Sequence, residues 1–284
     1  MNTHYDPRAM GNWSKLRKRG RPSDTGGFSF RRGTRIHWPG RGTGSPRTSE
    51  DLPIMIPKVI HQIWLGPNRI PDHFFPWMET WRRCFSDWEY KLWTDADLPG
   101  LLGDCICRDI LSSDQNVGLR SDVLRLELLR LFGGIYADCD FECLVPFDHL
   151  FQSACFHYGD ELQGRPSNAW MCSSAGHDVP RLMLEQMRES VTQRIDTEAD
   201  WTIVVRKTGP EALARALNFW VGDWKGETLF HRGMGVGVVY PGRVVSIWRE
   251  ILYPYSYGDH LWTAFSRNRY PHAMAAHHWG GSWK

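Results

Sequence analysis

The 284-residue sequence has no uninterrupted apolar run of about 18 residues, so it offers no transmembrane helix. No apolar core follows its basic start, so no secretory leader is read there. It has no internal repeat, which excludes solenoids and propellers. Cysteine is present but unpatterned. Seven is an odd number, and Cys105-x-Cys107 and Cys139-x3-Cys143 lack the paired CxxC spacing of a structural zinc site. Reduced, mostly buried thiols are therefore expected, and with them a cytoplasmic protein. Net charge is also scarce, at +2, but the total hides an asymmetry. Residues 1–50 carry 11 Lys/Arg against 3 Asp/Glu, and the remainder carries 23 against 29.

Those first residues are rich in Arg, Gly, Ser, Pro and Thr and have no sustained apolar period. Residues 1–52 are expected to form a disordered basic arm, and residues 53–284 one α/β domain. The arm's charge suits peripheral contact with an anionic membrane surface. A solvated tail is the simpler reading and carries more weight, and no specific nucleic-acid partner is expected.

The densest information lies in Arg120–Asp140. Val123, Leu124, Leu126, Leu128, Leu129, Leu131 and Phe132 form a wide apolar stripe at helical spacing. Ser121 caps or begins this helix, Asp122 suits the positive end of its dipole, and Asp122 and Arg125 share a face at i and i+3. Gly133-Gly134 is the stop. Ile135-Tyr136-Ala137 then reads as a short buried strand, with Asp138 at or just beyond its carboxyl end, where ligands bind in open α/β sheets. In extended backbone, residues i and i+2 project to one face. Asp138 and Asp140 can thus aim oxygens at one hard cation, manganese or magnesium. Either feature alone is common: most Asp-x-Asp pairs are solvated turns, and most such ion pairs lie on the surface. Their order along the chain makes the combination specific.

Elsewhere the pattern alternates. Strands are expected at Lys58–Trp64, Glu89–Trp93, Glu142–Val145, Ala154–Tyr158, Ala169–Ser173, Val236–Tyr240 and Val244–Ile247. Helices are expected from Pro71 to about Phe85, burying Phe74, Phe75, Met78 and Trp81, and at Pro180–Arg194 and Pro210–Trp220. Residues 98–111 read as helical with a loop at Gly103. This alternation implies a mainly parallel sheet flanked by helices.

The helix–Gly-Gly-Ile-Tyr-x-Asp-x-Asp pattern resembles the sugar-transferase region of glycosyltransferase family 32, which is similar to Och-type mannosyltransferases and more distantly to the clostridial glucosylating toxins. Ile56–Gly66, Trp88–Asp95, Asn168–His177, Thr208-Gly-Pro210 and His277–Trp283 resemble further motifs of the family, in its order, so that the likeness covers roughly residues 54–284. It implies a GT-A type fold and a retaining, metal-dependent transfer of a hexose from a UDP- or GDP-sugar. The acceptor would be a saccharide, a glycolipid or a protein, as in polysaccharide assembly.

The resemblance also implies roles. Asp140 would ligate the metal, with Asp138 on the ribose and the metal's water shell. Asp122 and Arg125 would hold the donor's hydroxyls and phosphate, Tyr136 would lie near the nucleoside, and Trp64 would stack on the base. Asn168 would meet the sugar or the acceptor. His277 and Ser282 would complete the metal shell, and Trp283 would reach the diphosphate. In the toxins one residue separates the terminal serine and tryptophan, whereas here they are adjacent. His61 and His177 are read as structural.

Two rivals remain. A haloacid-dehalogenase-type phosphatase also places Asp-x-Asp after a strand, but its pattern continues to Thr, where this chain has Glu142. A catalytically inactive nucleic-acid-binding module using the basic arm would not need the intact set Asp122, Arg125, Asp138 and Asp140.

Overall fold

The computed structural model describes residues 55–153, 155–162, 165–191, 201–221, 227–231, 234–240, 244–255 and 268–280. The expected basic arm lies outside the described residues, and so do Ser282 and Trp283.

Among the described residues, ten strands and seven α-helices follow one another. They are β1 (Val59–Ile63), α1 (Phe75–Cys84), β2 (Glu89–Trp93), α2 (Arg108–Leu111), α3 (Val117–Phe132), β3 (Gly134–Ala137), β4 (Phe141–Cys143), β5 (Phe156–Leu162), β6 (Arg165–Ser173), α4 (Asp178–Ser190), α5 (Trp201–Lys207), α6 (Pro210–Val221), β7 (Glu227–His231), β8 (Met234–Tyr240), β9 (Val244–Ile247), α7 (Arg249–Leu252) and β10 (Ala275–His277). Eight strands form one sheet in the order β2-β1-β3-β6-β5-β9-β8-β7, and β10 pairs with β4 in a second. β2, β1 and β3 are parallel neighbours, as are β5 and β9. β6 runs antiparallel between β3 and β5, and β7 and β8 add an antiparallel edge. The result is an α/β sheet flanked by helices, as expected.

Period-two alternation divides the core between the two sheet faces. Ile60, Ile135, Trp170, Cys172 and Val245 join Trp81 and Phe85 of the α1 region on one face. Tyr136, Met171 and Val244 join the leucines of α3 with Met183, Leu184 and Met187 of α4 and Leu213 of α6 on the other.

Several details differ from expectation. Residues 98–111, read as helical with a loop at Gly103, instead run through 3-10 turns over Asp95–Gly100 and Leu102–Asp104, and only Arg108–Leu111 is α-helical. Helix α3 begins a turn earlier, because the Asn116 side chain accepts from the N–H groups of Gly118 and Leu119 at 2.8 and 3.4 Å. Ser121 is therefore inside the helix, and Asp122 is a buried mid-helix residue rather than a group at the dipole's positive end. Phe75 is 38% exposed, since Phe74, Met78 and Trp81 take the inward face. A 3-10 turn over Asp72–Phe74 precedes α1.

Gly133 and Gly134 end α3 and start β3 with φ of 67° and 88°. The Gly133 N–H bonds Leu129 O at 2.9 Å. A Cβ at Gly134 would run into the Val59 carbonyl of the neighbouring strand. Only glycine meets both the conformation and the close approach.

Candidate active site

The parallel strands β2, β1 and β3 bring their carboxyl ends to one edge, and Asp138 follows β3 there. Its backbone is fixed from two sides. Its N–H donates to Ala169 O at 2.9 Å, and its carbonyl accepts from Gln62 Nε2 at 3.0 Å. Gln62 is held in turn by Tyr90, whose hydroxyl donates to its Oε1 at 2.5 Å. On the side chain, Asp138 Oδ1 accepts from the Tyr136 hydroxyl at 2.5 Å and pairs with Arg125 Nη1 at 3.3 Å.

Arg125 is the hub of the buried half of the site. Its Nη2 lies 3.1 Å from Asp122 Oδ1, and its Nη1 donates to Asn168 O at 2.7 Å. Its guanidinium carbon sits 4.5 Å from the centre of the Tyr136 ring. Asp122 is equally enclosed. Asn168 Nδ2 donates to Oδ1 and the Thr208 hydroxyl to Oδ2, each at 2.8 Å. Burial raises the Asp122 carboxyl, against the lowering effect of Arg125 and Thr208. Burial would lower the Arg125 guanidinium, but Tyr136, Asp138 and Asp122 around it outweigh that and raise it. The cation is thus fixed as a cation.

The second half comes from the far end of the chain. Strand β10 pairs with β4, matching His277 with Phe141, and lays His277 beside the acidic pair. His277 Nε2 lies 3.2 Å from Asp140 Oδ1 and 3.8 Å from Asp138 Oδ2. Gly280 N–H donates to Asp140 Oδ2 at 2.6 Å. Just before it, Trp279 adopts a left-handed φ of 55°. Burial opposes ionisation of Asp140, but the His277 charge, the His277 hydrogen bond and the Gly280 N–H hold its carboxyl below the ordinary range. Burial lowers His277, but Asp140 and Asp138 outweigh it and raise the imidazole. Asp138 is raised by burial, despite Arg125, and by its neighbour Asp140.

Ligand-type atoms of Asp138, Asp140 and His277 all lie within 4.8 Å of one another, a span one cation can bridge. Two carboxylates and an imidazole are a donor set for manganese, and magnesium would draw on the carboxylates. Asp122 and Asp138 flank Arg125, and Asp140 stands beside His277.

The site thus gathers Asp122, Arg125, Tyr136, Asp138, Asn168, Asp140 and His277. Trp64 stands at its rim, half-buried at the end of β1 and edge-on to Phe74 at 6.0 Å. A Cβ at Gly280 would meet both Phe74 and Asp140 Oδ2, so the rim adjoins the acidic pair. His61 and His177 are structural, as expected. His61 Nε2–H bonds Gly133 O at 2.9 Å, and its Nδ1 accepts from Trp93 Nε1 at 3.0 Å. His177 caps α4 by accepting from Val179 N–H at 3.2 Å.

Gln62, Thr208 and Gly280 belong to the site although the sequence pattern assigns them no role in it. A polar residue inside the run Val-Ile-His-Gln-Ile is a signal for the first. Thr208-Gly-Pro210 and the closing motif hold the other two.

Residues 71–157 match the "Glycosyltransferase sugar-binding region containing DXD motif". That stretch, from the helix α1 region to the start of β5, is where the chain is similar to glycosyltransferases of this kind. Among curated proteins, it is 29% identical over 127 residues to inositol phosphoceramide mannosyltransferase 1 of Schizosaccharomyces pombe, covering 43% of this chain and 40% of that protein. It is 24% identical over 206 residues to the subversion of eukaryotic traffic protein A of Legionella pneumophila, covering 60% and 32%. The chain spans less than half the length of these relatives. Among solved structures, the PaToxG glycosyltransferase superposes with a TM-score of 0.45 at 17% identity, covering 58% of this chain and 69% of that one. No helix among the described residues is long and apolar enough to cross a membrane.

Proposed function

We propose that the protein is a metal-dependent, retaining glycosyltransferase that moves a hexose from a UDP- or GDP-sugar to a saccharide or glycolipid acceptor. The convergence of Asp138, Asp140 and His277 within 4.8 Å carries this reading. The mannosyltransferases of inositol phosphoceramide among its relatives favour a mannosyl donor and a glycolipid headgroup.

Asp138, Asp140 and His277 would hold manganese or magnesium, with Ser282 adding a hydroxyl. Bound there, the ion would neutralise the diphosphate as the anomeric C–O bond breaks. The chain's own residues do the rest. Asp122 and Asp138 place negative charge near a sugar that gains oxocarbenium character. Arg125 acts through them, because its nitrogens are spent on Asp122, Asp138 and Asn168 O. It is a positioning residue that holds two carboxylates in one geometry and favours their ionised forms. Asn168 and Thr208 lock Asp122 from its two oxygens. Trp64 offers a flat face to the base at the mouth, and Trp283 would close over the diphosphate.

Retention fits front-face displacement, in which the acceptor oxygen forms its bond on the face the diphosphate leaves.

A donor panel tests the proposal. Nucleoside diphosphate release from several UDP- and GDP-hexoses is followed with manganese and with chelator. Release from one donor, lost with chelator, supports it. Absence of both release and calorimetric donor binding sinks it. An anomeric product opposite to the donor's, seen by NMR, would overturn retention alone.

A further inference from the structure

Seven cysteines are present, and six of them are buried; Cys84, at the end of α1, is the one that is partly open to solvent. It lies on a shallow cleft with Thr80, Arg83, Glu142 and Cys143. Cys143 closes β4. Its N–H is pinned by the Thr80 hydroxyl at 2.8 Å, which ties β4 to α1 near the two sulfurs. Cys84 S–H faces Cys143 O at 3.6 Å, and Cys143 S–H faces Val145 O at 3.4 Å.

We propose that Cys84 is a site of attack by peroxides and soft electrophiles, and that Cys143 is its resolving partner. Three features support it. Cys84 is partly open to solvent where the six others are buried. Cys84 Sγ lies 3.6 Å from the Cys143 carbonyl, and the two cysteines line the same cleft, so the Cys143 side chain can turn from Val145 O toward Cys84. Arg83 adds positive charge at the cleft. Together these hold the Cys84 thiol below its ordinary range, with the Cys143 hydrogen bond the largest cause and burial opposing it. Burial holds Cys143 well above its ordinary range, so it remains a protonated donor until the sulfenic acid forms beside it.

The atoms and electrons balance. The Cys84 thiolate attacks one peroxide oxygen, the O–O bond breaks, and the sulfur becomes a sulfenic acid while hydroxide leaves and takes up a proton. Sulfur has lost two electrons and the peroxide has gained them. Cys143 sulfur then attacks Cys84 sulfur, its proton joins the departing hydroxide as water, and an S–S bond forms. A dithiol reverses the step by exchange.

The bond would staple the end of α1 to β4. That strand carries Glu142, whose Oε2 lies 2.9 Å from His278 Nε2, and His278 adjoins His277. The link is chemical and does not depend on the transferase reading, so its test needs no turnover.

The full chain, folded and reduced, is treated with iodoacetamide for short times and its peptides are weighed. Cys84 is expected to be carboxamidomethylated at least about tenfold faster than any other cysteine. Hydrogen peroxide should then yield a single peptide joining Cys84 and Cys143, lost on adding dithiothreitol. In Cys143→Ser, dimedone should trap a sulfenic acid on Cys84. Equal labelling of Cys84 and the buried six overturns the proposal, and so does peroxide oxidation that falls on another cysteine first. Both of these outcomes are read on the unaltered chain, so the test stays decisive even where the variant fails to fold.

Discussion

His277 Nε2 and Asp140 Oδ1 stand 3.2 Å apart, although 137 positions separate them in the chain. Their meeting depends on β10 pairing with β4, because that register sets His277 opposite Phe141 and next to the acidic pair. The closing segment is therefore a structural part of the DXD site.

Replacing Asp140 with Asn keeps the shape and the acceptor for Gly280 N–H but removes the charge. Donor turnover should fall by at least about a hundredfold, while the far-ultraviolet spectrum and melting cooperativity are kept. A calorimetric titration with manganese should lose its binding heat as well. Full turnover in Asp140→Asn would show that the cation is held elsewhere.

Thr208 tests the buried half independently. Its hydroxyl lies 2.8 Å from Asp122 Oδ2 and 3.0 Å from Val204 O. Thr208→Val keeps the volume and leaves one oxygen of a buried carboxylate short of a donor, at a cost of roughly 1–3 kcal/mol. Thr208→Ser retains the hydroxyl and should recover most of that loss. If Val and Ser unfold at the same urea concentration, the hydroxyl contributes nothing to holding Asp122.

Much of the site is legible in the sequence because its signals are local. The Asp-x-Asp pair follows a strand that its glycines and β-branched residue announce, and i,i+3 spacing alone brings Asp122 to Arg125. What the sequence does not disclose comes from long-range pairing. Thr208 reaches Asp122 across 86 positions, and no spacing rule carries that far. The start of α3 escapes a reading by periodicity because Asn116 caps it from beyond the apolar stripe, and capping depends on one side chain rather than on a period. Hydrophobicity alone places Phe75 in the core, but three neighbours at better helical angles already fill the inward face.

Gly134 supports a prediction about folding rather than chemistry. Its φ of 88° disfavours any side chain, and a Cβ would strike the Val59 carbonyl at the β1–β3 junction. Gly134→Ala should cost on the order of 3 kcal/mol, visible as a lower denaturation midpoint or as loss of soluble protein. An unchanged midpoint would mean that β3 can slide away from β1.

Two buried histidines give a signed pH response. Burial lowers His61 to about 4 and His157 to about 3, despite hydrogen bonds to Gly133 O and Leu150 O that work the other way. Both folded values lie below the unfolded value of 6.5, so the unfolded chain takes up these protons first. The stability they contribute is complete above about pH 6.5 and is lost as pH falls toward the folded values, on the order of 3 kcal/mol for His61 and about 5 kcal/mol for His157. Asp122 and Asp138 are raised by burial and act in the opposite sense, since their protonation at falling pH favours the folded state. A bulk melting curve therefore mixes both signs, and nitrogen-detected NMR of the imidazoles separates them. His61 should keep its Nε2–H tautomer down to about pH 5, because Nδ1 accepts from Trp93 while Nε2–H bonds Gly133 O. An imidazolium signal from His61 at pH 6 in the folded protein would contradict the burial that places this ring beneath the β1–β3 edge of the site.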